Sequence, residues 1–217
     1  MFFRRLSNHV KRFYATINLP PGKDSFPKAT NLVPGTISES TAAAINKQIN
    51  QEYGACYTYR SISYHFATSS VGLLRLADFY RMLASEENEH AEQLANFLLL
   101  RNGSVILEAI AKPIQRQWSA DIGQTLCETL TLETELSASL SVLYAAAEME
   151  HDVVLTEFLT SHFLHEQCES VRVLQLLACK WNQLRNAPHG VYLFDREIER
   201  MNGLHRCSFS RNKRNNT

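Results

Sequence analysis

Residues 85–94, SEENEHAEQL, combine four carboxylates and one imidazole in a stretch with helical periodicity. Glu87 and His90 are three residues apart, so on a helix they lie one turn apart on the same face. Such a pair can supply half of a metal site. A second stretch, AAEMEHD, repeats the Glu-x-x-His spacing with Glu148 and His151. For both stretches the alternative is an ordinary charged helix surface.

The elements that must position these residues are long helices. Apolar periodicity predicts helices over residues 36–66, 73–101, 120–149 and 152–185, and a short fifth helix over 191–201. Thr36 and Glu39 have the spacing of a capping box at the first helix. The connection 102–119 spans at most about 59 Å, enough to run along a bundle about 42 Å tall. The pattern therefore predicts an all-α fold, a four-helix bundle with one long crossover and a short C-terminal helix.

The phase of the polar residues on these helices selects one candidate site. Glu87 and His90 share a stripe with Leu83 and Leu94 and are predicted to point into the core. An unpaired carboxylate in an apolar core costs several kcal/mol, so a cation or another partner is expected there. The other three helices also interrupt their apolar stripes, with Glu52 and Tyr59 on the first, Glu133 on the third and Gln167 on the fourth.

Depth along the bundle groups the same residues. Counted from the turns that join the helices, Glu52 and Glu87 are 18 and 17 residues away, and Glu133 and Gln167 are 18 and 16 residues away. Antiparallel packing therefore places all four near the middle of the bundle. His151 lies roughly 27 Å along the helix from Glu133. The second Glu-x-x-His pair is therefore predicted to lie on the surface at a helix end.

The N-terminal segment differs in composition from the rest of the chain. Residues 1–23 contain five basic side chains and no acidic one, with apolar residues on one helical face. This composition is typical of a mitochondrial transit peptide and predicts the mitochondrial matrix, the alternative being a basic arm on a cytoplasmic protein. Residues 24–35 are predicted to be a spacer, 36–203 the helical domain and 204–217 a basic disordered tail.

Composition gives no support for several other classes of function. Basic and acidic residues number 22 each, so the net charge gives no argument for nucleic acid. No apolar run is long enough for a transmembrane helix, and no membrane partner is expected. The five cysteines are odd in number and form no CxxC pair, which favours a reducing compartment over a disulfide framework.

Five segments carry a resemblance to animal ferritin heavy chains over about residues 38–200: AAINKQINQEYGACYTYRSISYHF, EENEHAEQL, LETELSASL, HFLHEQCES and YLFD. They occur in the order and with the separations of that family. The resemblance implies a ferritin-like fold and a ferroxidase that oxidises Fe(II) to Fe(III) with O2 and stores ferric oxyhydroxide, with two iron ions per subunit. Oxygen-rich ligands with one imidazole suit iron better than a closed thiolate zinc site.

Carried over by position, the resemblance implies a metal and catalytic set of Glu52, Glu87, His90, Glu133 and Gln167, with Tyr59 hydrogen-bonded beside it and Glu86 as an auxiliary ligand. The first three residues would hold one iron, Glu87 would bridge, and the next two would hold a weaker second iron. Glu86, Glu89 and Glu92 would face the cavity of a cage and help to nucleate mineral. A solvated helix face is the alternative for these three glutamates.

The resemblance further implies a homo-oligomeric cage of 24 subunits, with co-assembly with other ferritin subunits left open. Ferritins of this type line a threefold pore with two acidic residues one turn apart, and the matching positions here are Glu157 and Thr160. One acidic ring is therefore expected instead of two. The alternative function is a catalytically silent subunit that builds the cage and binds iron, which the preserved ligand set disfavours. A ferritin-like oxygenase or reductase would need a second Glu-x-x-His pair in the core.

Overall fold

The computed structural model describes residues 35–113, 118 and 122–199. The chain divides into two units, Met1–Gly35 and Thr36–Thr217, and every helix described below belongs to the second unit. The predicted transit peptide, nearly all of the predicted spacer and the predicted basic tail lie outside the described residues.

Four long helices form the bundle. They are α1 (Glu39–Ala67), α2 (Leu74–Leu100), α3 (Ile122–Met149) and α4, which runs from Val153–Leu159 through a π-helical turn at Thr160–Leu164 into His165–Leu184. Residues 190–199 form α5. The described ranges contain no strand, so the predicted bundle with one long crossover and a short C-terminal helix is confirmed. Within those ranges, no helix combines the length and apolar character needed to cross a lipid bilayer.

The first helix begins three residues later than predicted. The Ser38 hydroxyl oxygen accepts a hydrogen bond from the backbone N–H of Thr41 at 3.1 Å, as an N-cap residue does. Ser38 has an extended backbone, so the helix begins at Glu39. The predicted capping box that starts at Thr36 is therefore wrong, because a cap must lie directly before the first helical residue.

The first part of the crossover is attached to α1 by one side chain. Asn46 donates a hydrogen bond from Nδ2 to the Ser104 carbonyl at 2.9 Å and accepts one at Oδ1 from the Ile106 N–H at 2.8 Å. An extended segment leaves its backbone groups without helical partners, and these bonds satisfy two of them. The crossover therefore starts in a defined position against the outer side of the bundle.

The core consists of two apolar clusters. The first cluster surrounds Phe66, Tyr80 and Trp181, and the second surrounds Ile49 and Leu94. On α1, α2 and α4, the two clusters occupy separate stretches of the helix, and buried polar side chains lie between those stretches. The two clusters lie on either side of this polar layer along the bundle and exclude water from it. The charged groups of the layer are therefore in a low-dielectric environment.

The π-helical turn Thr160–Leu164 keeps one face of α4 directed at the core. Leu155, Leu159, Phe163 and Gln167 are all buried although they are spaced by four residues throughout. In a regular α-helix, three steps of four residues would rotate the last side chain by roughly 120° away from the first. The wider π turn absorbs part of that rotation, so Gln167 still faces the bundle interior.

Candidate metal centre

Five side chains that the sequence predicted as ligands lie in the polar layer between the two apolar clusters. Glu52 comes from α1, Glu87 and His90 from α2, Glu133 from α3 and Gln167 from α4, and none is more than 7% exposed. Each helix presents its polar group where the apolar stripe of that helix continues on either side. The layer is therefore part of the core and does not belong to a charged helix surface.

Glu52, Glu87 and His90 form one close group in the layer. One ligand atom from each lies within 4.8 Å of the other two, and the structure places Glu87 Oε2 2.9 Å from His90 Nδ1. Two carboxylate oxygens and one imidazole nitrogen at this separation can surround a single divalent cation. The ring of Phe163, in the π turn, packs 5.3 Å from the His90 ring and covers it from the side of α4.

Glu133, on α3, contacts both α1 and α4. Tyr59 donates a hydrogen bond from its hydroxyl to Glu133 Oε1 at 2.5 Å, and Gln167 donates from Nε2 to the other carboxylate oxygen and to the Glu133 carbonyl at 3.1 Å. Both carboxylate oxygens of Glu133 are therefore held in place. A neutral amide is a weaker cation ligand than a carboxylate, so a cation at Glu133 and Gln167 would be held less tightly than one beside Glu52.

The electrostatics of the layer favour an added positive charge. Burial, followed by the neighbouring Glu87, raises the pKa of Glu52 well above its usual value, and burial also raises the pKa values of Glu87 and Glu133. Burial alone would lower the pKa of His90, but Glu87, Glu166 and Glu52 raise it well above its usual value. A divalent cation would replace the protons that these groups hold when no metal is bound.

Glu166 is a member of the site that sequence reasoning missed. Its Oε1 lies 3.0 Å from His90 Nε2, so His90 has a carboxylate at each ring nitrogen. A carboxylate behind a metal-binding histidine fixes the ring orientation and makes the imidazole a stronger ligand. In the sequence, only its position directly before Gln167 could have indicated this role. Glu166 does not belong to the apolar stripe of α4, so the phase of that stripe does not select it.

The three glutamates predicted to face the cavity of a cage do not share one environment. Glu86 is half-buried, and burial together with the carboxylate of Glu166 raises its pKa to about 8. Glu89 and Glu92 are exposed, and Glu92 accepts a hydrogen bond from the Tyr53 hydroxyl at 3.2 Å. Glu86 therefore lies at the edge of the polar layer, whereas the other two belong to the open surface of α2.

The second Glu-x-x-His pair lies away from the polar layer. Glu148 and His151 are exposed at the turn between α3 and α4, where His151 has a φ of 56°. This placement agrees with the prediction made from depth. Glu157 and Thr160 are exposed on α4, one turn apart, and the Thr160 hydroxyl donates to the Thr156 carbonyl at 2.8 Å.

A family model described as a ferritin-like domain matches residues 42–183. The ferritin of Pacifastacus leniusculus is 34% identical over 155 residues, which cover 71% of this chain and 85% of that protein. The soma ferritin of Lymnaea stagnalis is 35% identical over 156 residues, which cover 71% of this chain and 88% of that protein. The chloroplastic ferritin-3 of Vigna unguiculata is 33% identical over 164 residues, 74% of this chain, and the match spans 64% of its length.

Proposed function

The chain belongs to the ferritin family, and from that premise we propose that it is an iron-storage subunit with ferroxidase activity. The observation that carries the proposal is the buried group of Glu52, Glu87 and His90, with its ligand atoms within 4.8 Å of one another. Burying these three residues in a hydrophobic core costs free energy, and a cation between them would offset that cost. Fe(II) is the substrate of the reaction, and ferric oxyhydroxide is the stored product.

Two groups of residues in the polar layer each bind one iron ion. Glu52, Glu87 and His90 hold the first Fe(II), while Glu133 and Gln167 hold the second. Glu87 is suited to bridge the two iron ions. It contacts His90 of the first group, and it lies near enough to Glu133 of the second for the two charges to interact. The amide of Gln167 gives the second ion a weaker hold, which favours release of ferric product over retention as a fixed cofactor.

The redox step balances with O2 as the oxidant. Two Fe(II) ions lose one electron each, and O2 takes up both electrons and two protons to leave as hydrogen peroxide. Four water molecules then convert two Fe(III) ions into two FeO(OH) units with the release of six protons. The hydrogen bond from Tyr59 to Glu133 keeps that carboxylate in place while the charge of the bound iron changes.

Stopped-flow oxidation of Fe(II) in air tests the ferroxidase proposal against the alternative of a silent cage subunit. We expect a fast phase in the natural protein and its loss in the double variant Glu87→Lys, His90→Gly. The matched control is Glu148→Lys, His151→Gly, which changes the exposed pair of the same spacing and should keep the fast phase. A natural protein without a fast phase, or a Glu87/His90 variant that retains it while assembled, would establish the silent subunit instead.

The assembled state follows from the family, whose members form multisubunit cages. We propose a homo-oligomeric cage of 24 subunits with iron mineral inside, and with surfaces that also permit co-assembly with other ferritin subunits. Glu89 and Glu92 would then face the mineral. Native mass spectrometry of the iron-free protein would decide the number of subunits.

The proposed location is the mitochondrial matrix, on the basis of the acid-free, basic and amphipathic composition of residues 1–23. The alternative location is the cytoplasm. The N-terminal residue of the mature protein from a mitochondrial fraction tests this proposal. A chain that retains Met1 and fractionates with the cytosol would contradict it.

A further inference from the structure

A buried glutamine adjoins the proposed iron site. Gln48 lies on α1, one turn before Glu52, and is 1% exposed. Its side-chain amide donates a hydrogen bond from Nε2 to Glu52 Oε1 at 2.7 Å. Within the part of the chain that the structure describes, the carbonyl oxygen Oε1 of the same amide has no hydrogen-bond partner.

The position of Gln48 is one where an apolar residue would stabilise the fold more. Its neighbours on α1, Ile45 and Ile49, belong to the second apolar cluster and are fully buried. A buried amide costs free energy unless its polar groups are bonded, and only one side of this amide is. Core packing therefore gives no reason for a glutamine here, whereas the bond to Glu52 does.

The hydrogen bond from Gln48 to Glu52 restricts a torsion that a glutamate ligand otherwise leaves free. The last torsion of a glutamate side chain has a broad energy minimum, so its carboxylate group is poorly oriented by its own rotamers. The carboxyl group of Glu52 also lies beside that of Glu87, with one oxygen of each within 4.8 Å of the other, so its orientation decides which oxygen faces a shared cation. A donor that holds one oxygen of Glu52 limits rotation about this last torsion.

We propose that Gln48 is a positioning residue of the iron site, which holds one oxygen of Glu52 so that the other is directed at the cation shared with Glu87 and His90. The inference rests on the proposed function, because it requires Glu52 to be a ligand. A neutral donor suits this task. A lysine or arginine would pair with Glu52 and compete with the cation, and an apolar residue would leave the carboxylate unheld.

The test compares Gln48→Met with the natural protein, since methionine has a similar volume and no donor. Co(II) is the probe, because its visible absorption reports the geometry of its ligands. We expect the affinity for the first Co(II) to fall 10- to 100-fold, the usual effect of removing a hydrogen bond behind a metal ligand, and the spectrum to change. For Fe(II) oxidation in air, we expect KM to rise by a larger factor than kcat falls.

The matched control is Ser63→Ala on the same helix. Ser63 is also buried and makes one hydrogen bond, from its hydroxyl to the Ala77 carbonyl at 2.8 Å, at a distance from the polar layer. We expect this variant to unfold more easily without metal and to show the natural Co(II) affinity and spectrum. For Gln48→Met we expect a lower Co(II) affinity and a smaller increase in stability when Co(II) is added.

Two outcomes separate this inference from the proposed function. If Glu52→Ala lowers Co(II) affinity while Gln48→Met keeps the natural affinity and spectrum, Gln48 has no positioning role and the iron site stands. If Glu52→Ala leaves Co(II) binding unchanged, the iron site itself is overturned, and the inference with it. Gln48→Leu carries the same expectations if the methionine variant does not fold.

Discussion

His90 shows how much of the site depends on single hydrogen-bonding atoms. Nδ1 lies 2.9 Å from Glu87 and Nε2 lies 3.0 Å from Glu166, so neither ring nitrogen faces an apolar neighbour. When a cation occupies the space beside Glu87, the remaining ring nitrogen can donate its N–H to Glu166. The carboxylate of Glu166 therefore orients the imidazole without needing to touch the cation.

Glu166→Gln should weaken the first cation site, because a neutral acceptor holds the imidazolium or metal-bound imidazole less strongly than a carboxylate does. We expect the affinity for the first Co(II) to fall by roughly 10-fold, measured by titration of the visible absorption. The control is Glu169→Gln, which removes a partly exposed carboxylate 3.7 Å from His165 on the same helix. Equal losses in the two variants would show that only the general negative charge of α4 matters.

Among the helices, a partly buried ion pair joins the end of α2 to the start of α4. Arg101, directly after α2, contacts both oxygens of Asp152, at 2.8 and 3.0 Å. Asp152 also accepts from the Leu155 N–H at 3.0 Å and so caps the start of α4. The pair fixes the start of α4 against the end of α2, and thereby the level at which Gln167 reaches the polar layer.

Asp152→Asn should destabilise the protein at pH 7 by roughly 2 kcal/mol, because it leaves the Arg101 charge without its partly buried anionic partner while retaining a helix cap. Hydrogen bonding to Arg101 lowers the pKa of Asp152 below 3.8 in the folded protein. The aspartate therefore stabilises the fold fully above that pH, and this stabilisation is lost as the pH falls through the folded pKa. The difference between the two proteins should accordingly shrink at acidic pH.

Denaturant unfolding of both proteins at pH 7 and near pH 3 measures this effect. Asp78→Asn is the control, because Asp78 pairs with Arg81 while both side chains are more than half exposed. Exposed pairs of this kind contribute roughly 0–1 kcal/mol. A difference for Asp152→Asn that is independent of pH would contradict the assignment of this destabilisation to the ion pair.

In the proposed cage, iron would enter through surfaces that a single subunit leaves open. Glu157 and Thr160 are exposed and one turn apart on α4, and the resemblance to animal ferritin heavy chains implies that these positions line a threefold pore, where that family has two acidic residues. With one acidic ring instead of two, the field that attracts cations to the pore would be weaker. Slow entry of Fe(II) is the expected consequence for the cage.

Thr160→Glu should accelerate iron uptake by the assembled cage by roughly twofold or more at low ionic strength, because a second acidic ring increases the local cation concentration. Uptake is measured as the rate at which added Fe(II) becomes inaccessible to an external chelator. Ser141→Glu, which adds the same charge on the exposed face of α3, is the control. An unchanged uptake rate at low ionic strength would contradict the idea that this pore limits entry.

The sequence by itself determined the helices and the five residues of the polar layer. A helical period of 3.6 fixes which side chains share the apolar stripe, and the number of residues from each turn fixes their depth. Those two quantities suffice for Glu52, Glu87 and Glu133, because each lies in the middle of a stripe. They also suffice to set His151 apart, since its depth differs although its phase is the same.

Only the tertiary structure decided the contacts at the boundary of that layer. The pairing of Glu166 with His90, the bond from Gln48 to Glu52 and the partial burial of Glu86 depend on how far each helix is rotated against its neighbour. A repeating pattern cannot give that rotation for residues at the edge of a stripe. The π turn Thr160–Leu164 is of the same kind, because the four-residue spacing of Leu155, Leu159 and Phe163 does not by itself say where α4 widens.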